Sequence, residues 1–135
     1  MFDVLEKYPH QGEFDFFQVE NLADKCNAPK SKSGIYVVAA DDTHIIYIGC
    51  SGRMGTDGNI IHRKGGMYDR LVNGHQFGKM ARKHTWSLKM KQDGFKKLTV
   101  FWYDSEKDNS CDVKHKLLTE FQEQFNGLPL WNKIL

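Results

Sequence analysis

The chain has 135 residues, of which 40% are hydrophobic and 27% charged, and its net charge is +2 at pH 7. This composition is typical of a single globular domain with a real core. No apolar run approaches the roughly 20 residues of a membrane helix, and the N-terminus lacks the basic and apolar regions of a signal peptide. Three scattered cysteines without a C-x-x-C pair argue against a zinc ribbon or a disulfide framework. They favour a reducing, cytoplasmic location.

The first third of the chain divides at a loop. Residues 2–8 predict a short helix, and EFDFFQV predicts a strand or extended segment. The stretch 27–34 collects Asn, Pro, Ser and Gly, as loops do. We therefore expect an N-terminal extension over residues 1–32, packed on a main domain over residues 33–135.

The main domain opens with a hairpin signal. GIYVVAA and HIIYIG are rich in β-branched and aromatic residues and flank the tripeptide DDT, which predicts two antiparallel strands over 34–49. Residues 50–65 contain four glycines and little periodicity. They predict a long loop, and long loops in small domains are often functional.

Helices and one more strand follow. GMYDRLVNG predicts a short helix, KKLTVFWYDS a strand, and SCDVKHKLLTEFQEQF a final helix. GKMARKHTWSLKMKQDG predicts a helix whose buried face carries Met80, Ala81, His84 and Leu88. The final helix is expected to bury Val113, Leu117, Leu118, Phe121 and Phe125. This order predicts an α+β domain with a small, mainly antiparallel three-stranded sheet flanked by helices.

Positive charge is concentrated in the middle of the chain. Residues 79–97 carry seven basic and one acidic side chain. Such a stretch is typical of a polyanion-binding surface, and a solvated lysine-rich helix face is an equal alternative. The candidates for nucleic-acid phosphate contacts are Lys79, Arg82, Lys83, Lys89 and Lys91.

Two tripeptides of the hairpin carry a family resemblance. Gly34-Ile35-Tyr36 and Tyr47-Ile48-Gly49 are separated by ten residues, and the pair resembles the signature of the GIY-YIG endonuclease superfamily. The family's later residues match in order: Arg70 and His75 in YDRLVNGH, Glu120 in LLTEFQEQF, and Asn132 in LPLWN. The long interval between Tyr47 and Arg70 is similar to that of the restriction-enzyme branch.

The resemblance implies a GIY-YIG nuclease fold and a reaction. The family hydrolyses phosphodiester bonds with one divalent ion, leaving 5′-phosphate and 3′-hydroxyl ends. For this chain it implies Mg²⁺, for which Mn²⁺ substitutes, bound by Glu120. Arg70 would hold the scissile phosphate, because its guanidinium matches phosphate oxygens. His75 would bind the phosphate or relay a proton.

The tyrosines are the implied proton-handling groups. Tyr47 is the candidate for general base or water-positioning group, with Tyr36 beside it. A phenol needs a nearby cation to lose its proton near neutral pH. Arg70, Lys64 or the metal could supply that charge. Asn132 would orient a site group or the glutamate, or simply cap the chain near its C-terminus.

The sequence therefore predicts a metal-dependent DNA endonuclease, with RNA as another substrate to test. One alternative is a catalytically silent nucleic-acid-binding module on the same fold. Another is a small interaction domain whose matches are coincidental. No separate DNA-binding domain fits in 135 residues. Specificity would then come from loop 50–65, the basic helix, the extension, a homodimer or a protein partner.

Overall fold

Four antiparallel strands form the central sheet of the computed structural model, which describes residues 2–135. They are β1 (Gln11–Phe17), β2 (Gly34–Ala40), β3 (His44–Ser51) and β6 (Lys97–Asp104), and they lie in the order β1-β6-β2-β3. A separate two-stranded ribbon consists of β4 (Arg53–Met54) and β5 (Ile60–Ile61). The helices are α1 (Leu22–Lys25), α2 (Gly66–Asn73), α3 (Arg82–Asp93) and α4 (Ser110–Phe125), and a 3₁₀ helix spans Phe2–Lys7. Among residues 2–135, no helix is both long and apolar enough to cross a bilayer.

The N-terminal segment is part of the sheet, which corrects the prediction of three strands. β1 pairs with β6 along its whole length, from Gln11 opposite Tyr103 to Phe17 opposite Lys97. Phe14 and Phe16 alternate with exposed residues and point into the core, as a strand with one buried face requires. The predicted extension over residues 1–32 therefore contributes an edge strand and part of the core.

The predicted hairpin is present as β2 and β3. Tyr36 lies opposite Gly49 and Val38 opposite Tyr47, and the register shifts between Val38 and Ala39. The connecting turn places Asp41 and Asp42 at φ of 50° and 61°, a backbone region that aspartate tolerates better than most residues. The DDT tripeptide therefore turns the chain as expected.

The sheet separates two apolar layers. One surface, called here the tyrosine face, carries Tyr36, Val38 and Tyr47 and packs against α1, α2 and α3. The other, called the α4 face, carries Ile35, Val37 and Ile48 and packs against Leu117 and Leu118 of α4 and the 3₁₀ helix. Because side chains alternate along a strand, neighbouring residues of the GIY and YIG tripeptides are sent to opposite layers.

The buried side of α3 differs from the predicted one. Met80 precedes the helix and is 58% exposed, and Leu88 is 63% exposed. The buried residues are instead Arg82, Thr85, Trp86 and Met90. Positions 82, 86 and 90 form an i, i+4 stripe that faces the sheet, so the buried face begins with an arginine.

The final helix and the long loop are closer to expectation. α4 buries Leu117 and Leu118 completely, whereas Phe125, predicted to be buried, is 56% exposed. The glycine-rich segment 50–65 is not wholly irregular, because β4 and β5 pair within it. This ribbon stands beside the end of β3 and forms one wall of the site described next.

Candidate functional site

The two glycines of the tripeptides lie at positions where a larger residue would not fit. A β-carbon at Gly49 would overlap the aromatic ring of Tyr36, which lies directly opposite on β2. A β-carbon at Gly34 would overlap the backbone carbonyl of Tyr103 on β6. The glycine of YIG is thus what allows the tyrosine of GIY to lie flat across the neighbouring strand.

The two tyrosines lie together on the tyrosine face, as predicted. The ring centroids of Tyr36 and Tyr47 are 6.0 Å apart. The guanidinium carbon of Arg82 is 5.7 Å from each ring centroid, within the range of a cation–π interaction. The phenols and this arginine form one cluster.

Arg82 is a buried organiser of that cluster. Its side chain is 1% exposed, so the predicted contact of Arg82 with surface phosphates is corrected by its burial. It donates to the Tyr47 hydroxyl over 3.2 Å and to Gln76 Oε1 over 2.9 Å, and it also donates to the Arg70 carbonyl oxygen. Trp86 Nε1 donates to the same Gln76 oxygen. These bonds satisfy a guanidinium that would otherwise be costly to bury.

The two phenols differ in environment. Tyr36 is fully buried, and the Arg70 side chain lies beside its hydroxyl. Burial raises the pKa of Tyr36 to about 12, although the charges of Arg82 and Arg70 act in the opposite direction. Tyr47 is half-buried and bonded to Arg82. Tyr47 is therefore the more accessible of the two phenols.

Arg70 lies close to both tyrosines and is partly buried. Burial opposes its charge, but Tyr36, Tyr47 and Cys50 lie close enough that the pKa of Arg70 is raised overall. Its side chain forms no salt bridge with a carboxylate of residues 2–135. The guanidinium is thus held charged and left without a counterion.

Arg70 also lines an open cleft of about 510 Å³. The walls come from the end of β3, the β4–β5 ribbon, α2 and the first turn of α4. The lining residues are Cys50, Ser51, Gly52, Arg53, Ile61, His62, Arg63, Arg70, Cys111 and Lys114. None carries a carboxylate, so the cleft is strongly positive. Neither tyrosine lines it directly.

His62 is a cleft residue that the sequence did not single out. Its Nδ1 lies 2.7 Å from the Ser33 hydroxyl, which leaves the other ring nitrogen free. The only signal was its position in a glycine-rich segment. Nearby, Arg63 forms a 2.7 Å salt bridge with Asp69. Burial works against the Asp69 charge, but bonds from Asn73 and Arg63 outweigh it and lower the pKa of that carboxyl.

Asn132 lies beside Tyr47, through the backbone of β3. Its side chain accepts from the Ile48 N–H over 2.9 Å and donates to the Ile48 carbonyl over 3.0 Å. The Trp131 N–H donates to the Ile46 carbonyl over 2.7 Å. These bonds hold the β3 backbone in place on both sides of Tyr47. Asn132 therefore fixes the β3 backbone next to Tyr47, and its orienting role in a reaction stays a prediction.

Glu120 lies away from the cleft. It is exposed on α4 and borders a different hollow, with Val4, Lys7 and Lys116 among its neighbours. Leu117, one turn earlier, packs in the α4 face of the sheet. The structure therefore does not bring the predicted metal ligand together with Tyr47 and Arg70.

The cleft does not suit the ion implied by the resemblance. Mg²⁺ prefers carboxylate, carbonyl and water oxygens, whereas the cleft offers cations, two thiols and one imidazole. Among residues 2–135, no group of three or more His, Cys, Asp or Glu side chains is arranged to hold a metal ion. The donor set present here does not fit Mg²⁺.

The remaining predicted residues lie at the surface. His75 and Lys64 are exposed, and neither lines the cleft. Lys79, Lys83 and Lys91 are exposed, and Lys89 pairs with Asp93. None of these four lysines lines the cleft.

Comparisons of the chain with family models, with curated proteins and with solved structures give no match. The likeness to the GIY-YIG superfamily therefore depends on the residues themselves. Of these, Tyr36, Tyr47 and Arg70 converge on one site, Asn132 supports it, and Glu120 lies elsewhere.

Proposed function

We propose that this chain is a nuclease domain of the GIY-YIG type, which binds nucleic acid in the basic cleft and hydrolyses a phosphodiester bond beside Arg70. The observation that carries the proposal is positive charge without a counterion. Arg70 and the buried Arg82 lie against two tyrosines, and neither is paired with a carboxylate of residues 2–135. An unpaired cation at the wall of an open cleft favours an anionic ligand.

The shape and chemistry of the cleft suit a phosphate backbone. Arg53, Arg70 and Lys114 come from three different elements and line one continuous opening. Guanidinium groups match pairs of phosphate oxygens, and several cations in a row match successive phosphates. A small neutral ligand would gain little from this lining. The ligand class favoured by the cleft is therefore a polyanion such as DNA, with RNA as the alternative.

In the proposed reaction, two side chains would move protons. Arg82 donates a hydrogen bond to the Tyr47 oxygen, which fixes the position of the phenol. Tyr47 would then orient or deprotonate the attacking water. On the ribbon wall, Ser33 holds one nitrogen of His62. The free nitrogen would give a proton to the leaving oxygen. Arg70 would offset charge on the phosphate.

A second candidate is favoured by the position of Glu120. The family's reaction uses a divalent ion, and the cleft of this chain carries no carboxylate to bind one. A module that grips nucleic acid without cutting it would need only the cationic lining. This silent binding module predicts affinity for DNA with no cleavage under any metal condition.

The test combines cleavage with binding. Nicking of supercoiled plasmid is followed with Mg²⁺, Mn²⁺ or EDTA, and affinity for a fluorescent duplex is measured by anisotropy at several salt concentrations. The variants are Arg70→Ala and Lys116→Ala, which removes an exposed positive charge from α4 outside the cleft. We expect nicking that falls by about 10²-fold or more in Arg70→Ala and is unchanged in Lys116→Ala.

The other outcomes are distinct. Salt-dependent binding without nicking would replace the nuclease with the silent binding module. Equal nicking by all three proteins would indicate a contaminating enzyme. Neither binding nor nicking, with the fold intact by circular dichroism, would overturn both nucleic-acid proposals.

A further inference from the structure

Two free cysteines from distant parts of the chain meet in the cleft. Cys50 and Cys111 are 61 positions apart, yet their sulfur atoms are 3.0 Å from each other. Cys50 follows Gly49 near the end of β3, and Cys111 lies in the first turn of α4. Both side chains line the same open cleft, so solutes in the cleft reach them.

Neighbouring hydrogen bonds hold the two sulfurs in place. The Ser110 hydroxyl donates to the Ser51 carbonyl over 2.6 Å, and this bond is buried. The Cys111 Sγ is 3.6 Å from the Gly52 carbonyl oxygen, and the Cys111 N–H donates to Asn109 Oδ1. The start of α4 is therefore fixed against the end of β3 without a covalent link. Such preorganisation favours a reaction between the two thiols over a reaction with a second molecule.

The two thiols have different surroundings, which gives them different roles. Cys111 is exposed, whereas Cys50 is partly covered. Burial, together with the contact to Cys111, raises the pKa of Cys50 to about 12. A dissolved reagent meets Cys111 first, because attack depends on access as well as on the thiolate. Cys50 lies directly behind it, in the position of a resolving thiol.

We propose that Cys50 and Cys111 form a modification site that reacts with a low-molecular-weight disulfide such as oxidised glutathione. The Cys111 thiolate attacks one sulfur of the reagent, the reagent's S–S bond breaks, and one thiolate leaves. Cys50 then loses its proton and attacks the Cys111 sulfur, which releases the second thiol. The protein pair gives up two electrons and two protons and becomes a disulfide, and the reagent is reduced to two thiols.

The bond would link two walls of the cleft. It joins the strand that carries Tyr47 to the helix that carries Lys114. It also closes a long loop of the chain, which restricts the unfolded state and stabilises the folded one. The third cysteine provides an internal control, because Cys26 is buried and free.

The test uses the full chain, reduced and then exposed to oxidised glutathione, with the thiols followed by intact mass and by peptide mapping without reductant. Wild type and Cys26→Ser should each lose two hydrogens, and the mapped bond should join Cys50 to Cys111. A reductant should reverse it. Cys50→Ser should stop at one glutathione on Cys111. Cys111→Ser should react at least about tenfold more slowly, since the covered thiol remains.

Three results would overturn the proposal. They are a wild-type protein that keeps one glutathione on Cys111, a bond that involves Cys26, and cross-linking between chains in place of the internal bond. Because none of these readouts depends on cleavage, the result is independent of the proposed nuclease activity.

Discussion

The two faces of the central sheet are covered differently. On the tyrosine face, polar and charged groups are buried with the aromatic rings: Arg82 bonds to Tyr47, and Tyr36 is fully enclosed beside them. On the α4 face, Ile35, Val37 and Ile48 meet leucines of α4. The tyrosine face holds a cation that pairs with no carboxylate of residues 2–135, whereas the α4 face consists of packed apolar side chains.

This difference separates residues that the family resemblance groups together. Tyr36, Tyr47 and Arg70 belong to the tyrosine face and its cleft, whereas Glu120 belongs to the helix on the other side. A buried, hydrogen-bonded charge favours a functional role over a purely structural one, because hydrocarbon would fill the same space at lower cost. The tyrosine face is therefore where chemistry is expected. The following predictions test this division, from the largest expected effect to the smallest.

Gly49→Ala should destabilise the protein by about 3 kcal/mol, because the added methyl group overlaps the enclosed Tyr36 ring. Gly127→Ala is the matched control, since a β-carbon there meets nothing. Urea unfolding measures both. In the double variant with Tyr36→Ala, the two costs should be clearly less than additive. Full additivity would mean that the ring and the glycine are not in contact.

Tyr47→Phe should lower the rate of DNA cleavage by about 10²-fold, because it removes the phenol oxygen to which Arg82 donates. Tyr36→Phe should keep most of the activity, since the Tyr36 side chain is fully buried. Single-turnover nicking assays at saturating enzyme separate this from binding. An equal loss in both variants would show that the two phenols act as one unit.

Duplex DNA should protect the cleft cysteines. At a DNA concentration about ten times its Kd, the reaction of Cys111 with oxidised glutathione should slow by about tenfold. Samples are quenched at successive times, and their intact mass gives the rate of modification. A sample without polyanion is the reference. If DNA is bound, by anisotropy, but the rate is unchanged, the binding surface lies outside the cleft. The lysines of α3 would then be the alternative.

Lys114→Ala should weaken DNA binding several-fold and reduce the slope of log affinity against log salt by about one unit. Lys91→Ala should change neither, because it removes an exposed charge outside the cleft. Anisotropy titrations between low and moderate salt measure both slopes. The reverse ranking would move the nucleic-acid interface from the cleft to α3.

Glu120→Gln should have the smallest effect, with cleavage and binding within about twofold of wild type. The Glu120 side chain is exposed on the other side of the sheet, away from the cleft. Abolished cleavage with intact binding would contradict this. It would mean that α4 moves when DNA binds and carries its glutamate to the phosphate.

Local patterns were enough to predict much of the fold. The hairpin, its DDT turn, α2 and the leucines of α4 follow from periodicity and turn residues. The pattern of apolar residues along α4 also gave a clue to the side of the helix on which Glu120 lies. It lies one turn beyond Leu117, on the side of the helix that faces the 3₁₀ segment. The spacing of Glu120 from the family tripeptides does not show which side of the helix it occupies.

Other features depend on tertiary contacts that a sequence does not display. Arg82 shares a stripe with Trp86 and Met90, but an arginine normally marks an exposed position, so the predicted face was rotated. Cys50 and Cys111 meet only because α4 starts where β3 ends. Their pairing required the three-dimensional path of the chain.

The last residues of the chain also affect how molecules of this protein meet one another. β1 and β3 form the two edges of the sheet. β1 carries Glu13 and Asp15 in exposed positions, and such charges discourage pairing with another strand. β3 carries no Asp, Glu, Lys or Arg and is instead covered by Trp131 and Asn132. A truncation before residue 129 would remove these bonds and expose the edge of β3, so we expect the shortened chain to aggregate through that edge.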